Sequence, residues 1–134
     1  MREGNTMIRL FGNSISMAEK SLDFLWAKQQ IISNNIANVD TPGYKAKYVT
    51  FEETFRNKLK AASDTGNPQL ISDAIENSHW EINDTNNETT RLDGNNVNAD
   101  SELIEMTRTA LQYQYMLHSV NSNITRLRTV VKGQ

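Results

Sequence analysis

The chain has 134 residues, a net charge of −2 and no cysteine. One domain is the ordinary outcome at this length, and disulfides and thiolate metal sites are excluded. Lys and Arg are spread along the chain rather than clustered. That argues against nucleic acid as the main partner.

The first forty residues carry a heptad ladder of Ile8, Phe11, Ile15, Ala18, Leu22, Leu25, Gln29, Ile32, Ile36 and Val39. Alternating steps of three and four keep one stripe facing a partner helix. The spacing predicts a helix over 7–39, with Gly12 and Asn13 able to fray its first turns. A second stripe, Leu10, Met17, Phe24 and Ile31, recurs every seven residues. It lies roughly 130° around the helix from the first. Trp26 widens this surface. Two apolar faces on one helix imply a second neighbour, and the second stripe is predicted to be an intersubunit interface; the alternative is a compact bundle that uses both faces internally.

The helix must end at Asp40-Thr41-Pro42-Gly43, because Pro42 pushes Thr41 out of the helical region and Gly43 supplies a turn. Thr50 and Glu53 have capping-box spacing before a short helix to about Ala62, whose Phe51, Phe55 and Leu59 share a face. From Ser63 to about Asn98 the composition turns to Asn, Asp, Ser and Thr. This reads as a loop-dominated excursion, with a short strand around Trp80–Ile82. Asp93-Gly94 marks a turn, and Asn98 or Asp100 is placed to cap a last helix over 100–131. Its ladder is Leu103, Met106, Ala110, Tyr113, Leu117, Val120, Ile124, Leu127 and Val131, with Ile104 and Leu111 on a second face. The fold class is therefore mainly α: two long terminal helices in an antiparallel coiled-coil hairpin, with a short helix and an irregular loop-rich middle (40–99), as one domain over 1–134. Helices of about thirty residues run roughly 45 Å, so the molecule should be elongated.

No catalytic, cofactor or metal site is expected. His79 and His118 lack a ligand pattern. Asp84–Glu88 and Asp93–Asp100 offer oxygen ligands, but Gly94 directly after Asp93 breaks EF-hand spacing. No nucleophile elbow or phosphate loop occurs. No apolar run reaches transmembrane length, and the N-terminal residues show no cleavable secretory signal.

The string Ser33-Asn34-Asn35-Ile36-Ala37-Asn38-Val39-Asp40-Thr41-Pro42-Gly43-Tyr44-Lys45 resembles the signature of bacterial flagellar basal-body rod proteins. A second segment, Leu92-Asp93-Gly94-Asn95-Asn96-Val97-Asn98 through Tyr113-Gln114-Tyr115, is similar to the C-terminal part of the short proximal members of that family. The resemblance implies a structural, non-enzymatic subunit, exported by the flagellar type III apparatus and assembled helically into the rod that crosses the periplasm. It implies as partners copies of itself, other rod proteins such as FlgC, the adaptor FliE and the export gate. Asn34, Asn35, Asn38, Thr41, Pro42, Gly43 and Tyr44 would form an assembly joint. Phe51 and Phe55 resemble the gate-recognition element of early export substrates, although two core-facing aromatics one turn apart would look the same. The alternative function is a coiled-coil chaperone or regulator that binds a partner transiently.

Overall fold

The computed structural model describes residues 2–86 and 91–133, with side chains placed for 12–51, 55–86 and 91–133. In chain order the elements are α1 (Arg2–Ala37), β1 (Lys47–Thr50), α2 (Glu52–Asp64), α3 (Pro68–Glu76), β2 (Glu81–Asp84) and α4 (Ala99–Lys132). The fold is mainly helical. At 1.5 Å per residue α1 and α4 each extend about 50 Å. α1 runs through Gly12 and Asn13 without a break. Asn13 has a structural use, since its Nδ2 donates to the carbonyl of Pro68 at 3.0 Å.

α1 and α4 lie side by side and run in opposite directions. Near one end Lys28 Nζ meets Glu105 at 3.1 Å. Moving back along α1 to Phe24 and Leu25 means moving forward along α4, to Tyr113 and Met116. Leu25 and Ile32 of the first ladder are buried at this contact, as expected. The buried line of α4 is centred differently from its ladder. Thr109 is fully buried, while the ladder positions Leu103 and Leu117 are exposed. The helix is rotated so that Thr109 points inward, with Tyr113 and Met116 against the core, while Leu103 and Leu117 lie toward the rim. Small Thr109 lets the two backbones approach; the ladder leucines would hold them apart.

The middle is more ordered than its composition suggests. α3 begins with Asn67 as cap, whose side chain accepts from Gln69 N–H at 3.0 Å, and Pro68 fills the first turn. Pro has no amide hydrogen to lose there and its φ suits the helix. The helix buries Ile75 and packs along α1, where Lys20 Nζ reaches the carbonyl of Glu76. β1 and β2 pair antiparallel, with Lys47 opposite Asp84 and Thr50 opposite Glu81. The strand expected around Trp80–Ile82 thus lies at 81–84.

α2 does not start with the expected capping box. Phe51 occupies the cap position, and no side chain caps the helix. Thr50 closes β1 instead, and its Oγ1 accepts from Asn83 at 3.0 Å. The Glu53 side chain lies outside the described residues. Phe51 itself is the centre of the core. Its ring stacks on Phe24 at 4.8 Å and on Phe55 at 4.9 Å, and meets the edge of Trp80 at 6.2 Å.

Candidate functional site

The two strings that stand about fifty residues apart in the sequence are one site in the fold. α1 ends in a short run of turns, with Asn38 N–H bonded to Asn34 O at 3.2 Å and Thr41 N–H to Asn38 O at 3.1 Å. Asn38 braces this end from both sides. Its Nδ2 donates to Asn34 O at 2.8 Å, and its Oδ1 accepts from the Thr41 hydroxyl at 3.1 Å. Asn34 contributes through its carbonyl. Pro42 is exposed and fixes the exit direction, and Gly43 follows with φ +72°, a conformation that L side chains rarely adopt.

The second string closes on this end. Gly43 N–H donates to Asp93 O at 2.7 Å. Asn95 is fully buried, and its Nδ2 donates to both Asn38 O at 2.8 Å and Thr41 O at 2.9 Å. Its Oδ1 accepts from Val97 N–H at 2.8 Å. One carboxamide therefore holds two carbonyls of the turns just beyond α1. Asn96 extends the clasp, accepting from Ala46 N–H at 2.6 Å and donating to Thr85 O at 2.8 Å. Lys45 Nζ donates to Gly94 O at 2.7 Å. Arg91 donates to Val39 O at 2.8 Å and pairs with Asp93 at 3.0 Å. Gly94, with φ +77°, sits so close that a Cβ on it would meet the Gly43 Cα at 3.6 Å.

Asn35, only 1% exposed, performs a different task. Its Nδ2 donates to Lys47 O at 2.7 Å and its Oδ1 accepts from Lys47 N–H at 2.9 Å. A side-chain amide thus mimics a neighbouring strand and ties the edge of β1 to the helix. The Tyr44 hydroxyl also donates to Asn35 Oδ1, at 3.3 Å. Burial, with Asp84 and Glu102 nearby, holds that phenol above its ordinary pKa. Glu102, in the first turn of α4, is raised by burial, partly opposed by the Asn35 amide. Glu105, one turn on, is lowered chiefly by its hydrogen bond to Lys28.

All seven residues of the predicted joint therefore fall in one place, with Asn35, Asn38, Thr41, Gly43 and Tyr44 bonded through it. The sequence reading quoted 92–98 for its family resemblance but gave Asn95, Asn96 and Arg91 no part in the joint. The signal was present: Asn95-Asn96 repeats the doubled asparagine of 34–35.

The second α1 stripe is divided. Phe24 is 4% exposed and lies inside the subunit's own core against Phe51, not on a free face. The cause is Phe51, at the junction of β1 and α2, whose ring stacks on Phe24. Met17 and Ile31 are half-buried, and the Leu10 side chain lies outside the described residues. Phe51 is buried, whereas Phe55 and Leu59 line an open apolar groove of about 600 Å³ with Leu111 and Tyr115 of α4. Among the described residues no cluster of three or more potential metal ligands forms, and no helix is long and apolar enough to cross a membrane.

A family model described as the flagella basal body rod protein matches residues 25–45, the end of α1 and the turn beyond it. The chain is 33% identical over 127 residues to the flagellar basal body rod protein FlgB of Bacillus subtilis (strain 168), covering 92% of this chain and 97% of that one. Identity to the FlgB of Borrelia hermsii is 27%, across 93% of this chain and all of that relative. For the FlgB of Escherichia coli (strain K12) it is 24%, across 90% and 94%. With near-complete coverage in both directions and both halves of the clasp inside the aligned length, this chain belongs to the FlgB family of flagellar basal-body rod proteins.

Proposed function

We propose that this chain is a structural subunit of the proximal flagellar rod. It leaves the cytoplasm through the flagellar type III apparatus and assembles helically in the periplasm. Family membership supports the rod assignment, and the clasp is the observation that carries the mechanical reading. A drive shaft must pass torque along helices without letting their ends swing. Here the end of α1, the edge of β1 and the entry to α4 are tied by short hydrogen bonds from buried amides. The chain works as one unit over 1–134, its antiparallel helix pair forming the shaft element.

The neighbours in this reading are further copies of the chain, other rod proteins such as FlgC, the adaptor FliE and the export gate. Exposed apolar residues on α4, Ile104, Leu111 and Tyr115, suit contact with such neighbours. Of the second α1 stripe, Met17 and Ile31 remain candidates for the same use. A gate-recognition role for Phe51 and Phe55 belongs to the unfolded chain, since folding buries Phe51.

The test is complementation. Expressed in a motile bacterium lacking its own proximal rod subunit, the chain should restore swimming and appear in purified basal bodies. Persistent absence from basal bodies, with recovery of a defined soluble complex with one partner, would overturn the reading in favour of a chaperone or regulator.

A further inference from the structure

The far half of α4 leaves one face uncovered. Leu127, Val130 and Val131 are exposed, and Arg126, Arg128 and Lys132 stand exposed among them. No Asp or Glu follows Glu105 in the sequence. Among the described residues the ion pairs are those of Lys28, Arg91 and Arg108, so these three cations have no carboxylate partner. Cations do suit a helix C-terminus. That preference does not account for the exposed leucine and valines between them.

The complementary surface is the limb formed by α3 and β2. Residues 63–86 contain Asp64, Asp73, Glu76, Glu81 and Asp84 and no Lys or Arg. These five acidic residues are exposed, and no ion pair among the described residues engages them. Lys20 and Lys58 reach the limb but donate to the backbone carbonyls of Glu76 and Asn77. Leu70 and Ile82 are exposed among the acids. Each surface therefore mixes apolar side chains with one sign of charge.

The β2 end of the limb lies apart from the tip along the molecule, while the start of α3 lies beside Asn13 of α1. Asp84 is in register with Lys47, which Asn35 holds near Glu102 at the start of α4. Arg128 lies further along α4 by about 39 Å, at 1.5 Å per residue. That is several Debye lengths at physiological salt, where the length is about 8 Å.

We propose that the basic, apolar tip of α4 docks on the acidic α3–β2 limb of a second copy of this chain. The proposal rests on the rod-subunit reading and names one contact within it. Charge complementarity selects the occupant, since the chain itself carries both halves. Two different patches meeting head to tail form a heterologous contact, which propagates from copy to copy instead of closing on a two-fold axis.

The experiment uses the full chain and two variants with substitutions at exposed positions. One carries Arg126→Glu with Arg128→Glu; the other carries Asp73→Lys with Glu81→Lys. Sedimentation velocity reads self-association across concentration at low and high salt, and circular dichroism checks that helix content is kept. The wild-type chain should associate, less so at high salt. Each variant alone should associate at least tenfold more weakly. An equimolar mixture should recover pairing, because the unaltered basic tip of one variant meets the unaltered acidic limb of the other. Wild-type association in either variant, no recovery in the mixture, or a wild-type chain that stays monomeric throughout would overturn the contact. Motility separates this from the parent reading. Swimming restored equally by wild type and both variants removes the contact and leaves the rod assignment standing; failure of wild type removes the rod assignment.

Discussion

Asn35 shows how much one amide can hold. It takes both backbone groups of Lys47 and the Tyr44 hydroxyl, all in the interior of the joint. An apolar replacement leaves those groups without partners, and a buried unpaired donor or acceptor costs about 1–3 kcal/mol. Asn35→Ala should therefore destabilise the isolated chain by about 2–3 kcal/mol, with amide exchange at Lys47 rising before global unfolding. Denaturant melts with residue-resolved hydrogen exchange check both parts. Glu105 gives a pH signature. Lys28 lowers its folded pKa below the ordinary value of 4.5, so its stabilising contribution is fully present above that pH. It is lost as the pH falls through the folded value. Neighbouring Glu102, raised by burial, works the other way, favouring the fold as it takes up a proton. The denaturation midpoint of Glu105→Gln should accordingly fall less than that of wild type between pH 5 and pH 3, by the margin that Glu105 supplies.

Among the elements, the junction of β1 and α2 decides what α1 can offer to others. By stacking Phe51 on Phe24 it turns one residue of an apparent outer stripe into core. Truncating a buried Phe costs about 3–5 kcal/mol, and a carboxylate in its place adds the cost of burying charge. Phe24→Asp should thus lower the stability of the isolated subunit by at least about 3 kcal/mol. Thermal melts of the monomer, without any assembly partner, read this directly; an unchanged melt would return Phe24 to the surface. The pattern of Leu10, Met17, Phe24 and Ile31 records only that a second face is apolar. Whether a neighbour or the chain's own middle covers it depends on where Phe51 is placed, which periodicity along α1 does not encode. The two long helices were legible because their repeats persist over many turns. α3 was not, although Asn67-Pro68 and the spacing of Ile71, Ala74 and Ile75 announce a helix; the polar residues around it masked a helix of nine residues. The rotation of α4 about Thr109 was also hidden, since a heptad count rewards leucines over a small residue that permits close approach.

For the whole molecule, the joint was half legible. The first string declared itself as a helix end; its partner showed a turn and a family resemblance but not its closure on the first, because hydrogen bonds between distant segments leave no local periodicity. That distance has a consequence in time. Asn38 and Thr41 are complete early in the chain, yet the carboxamide that holds them belongs to Asn95, more than fifty residues later. A chain threaded N-terminus first cannot fasten its first helix until residues 91–97 have also emerged. Up to that moment α1 can still swivel at Pro42, and the act that makes this end rigid waits until about two-thirds of the chain has been delivered.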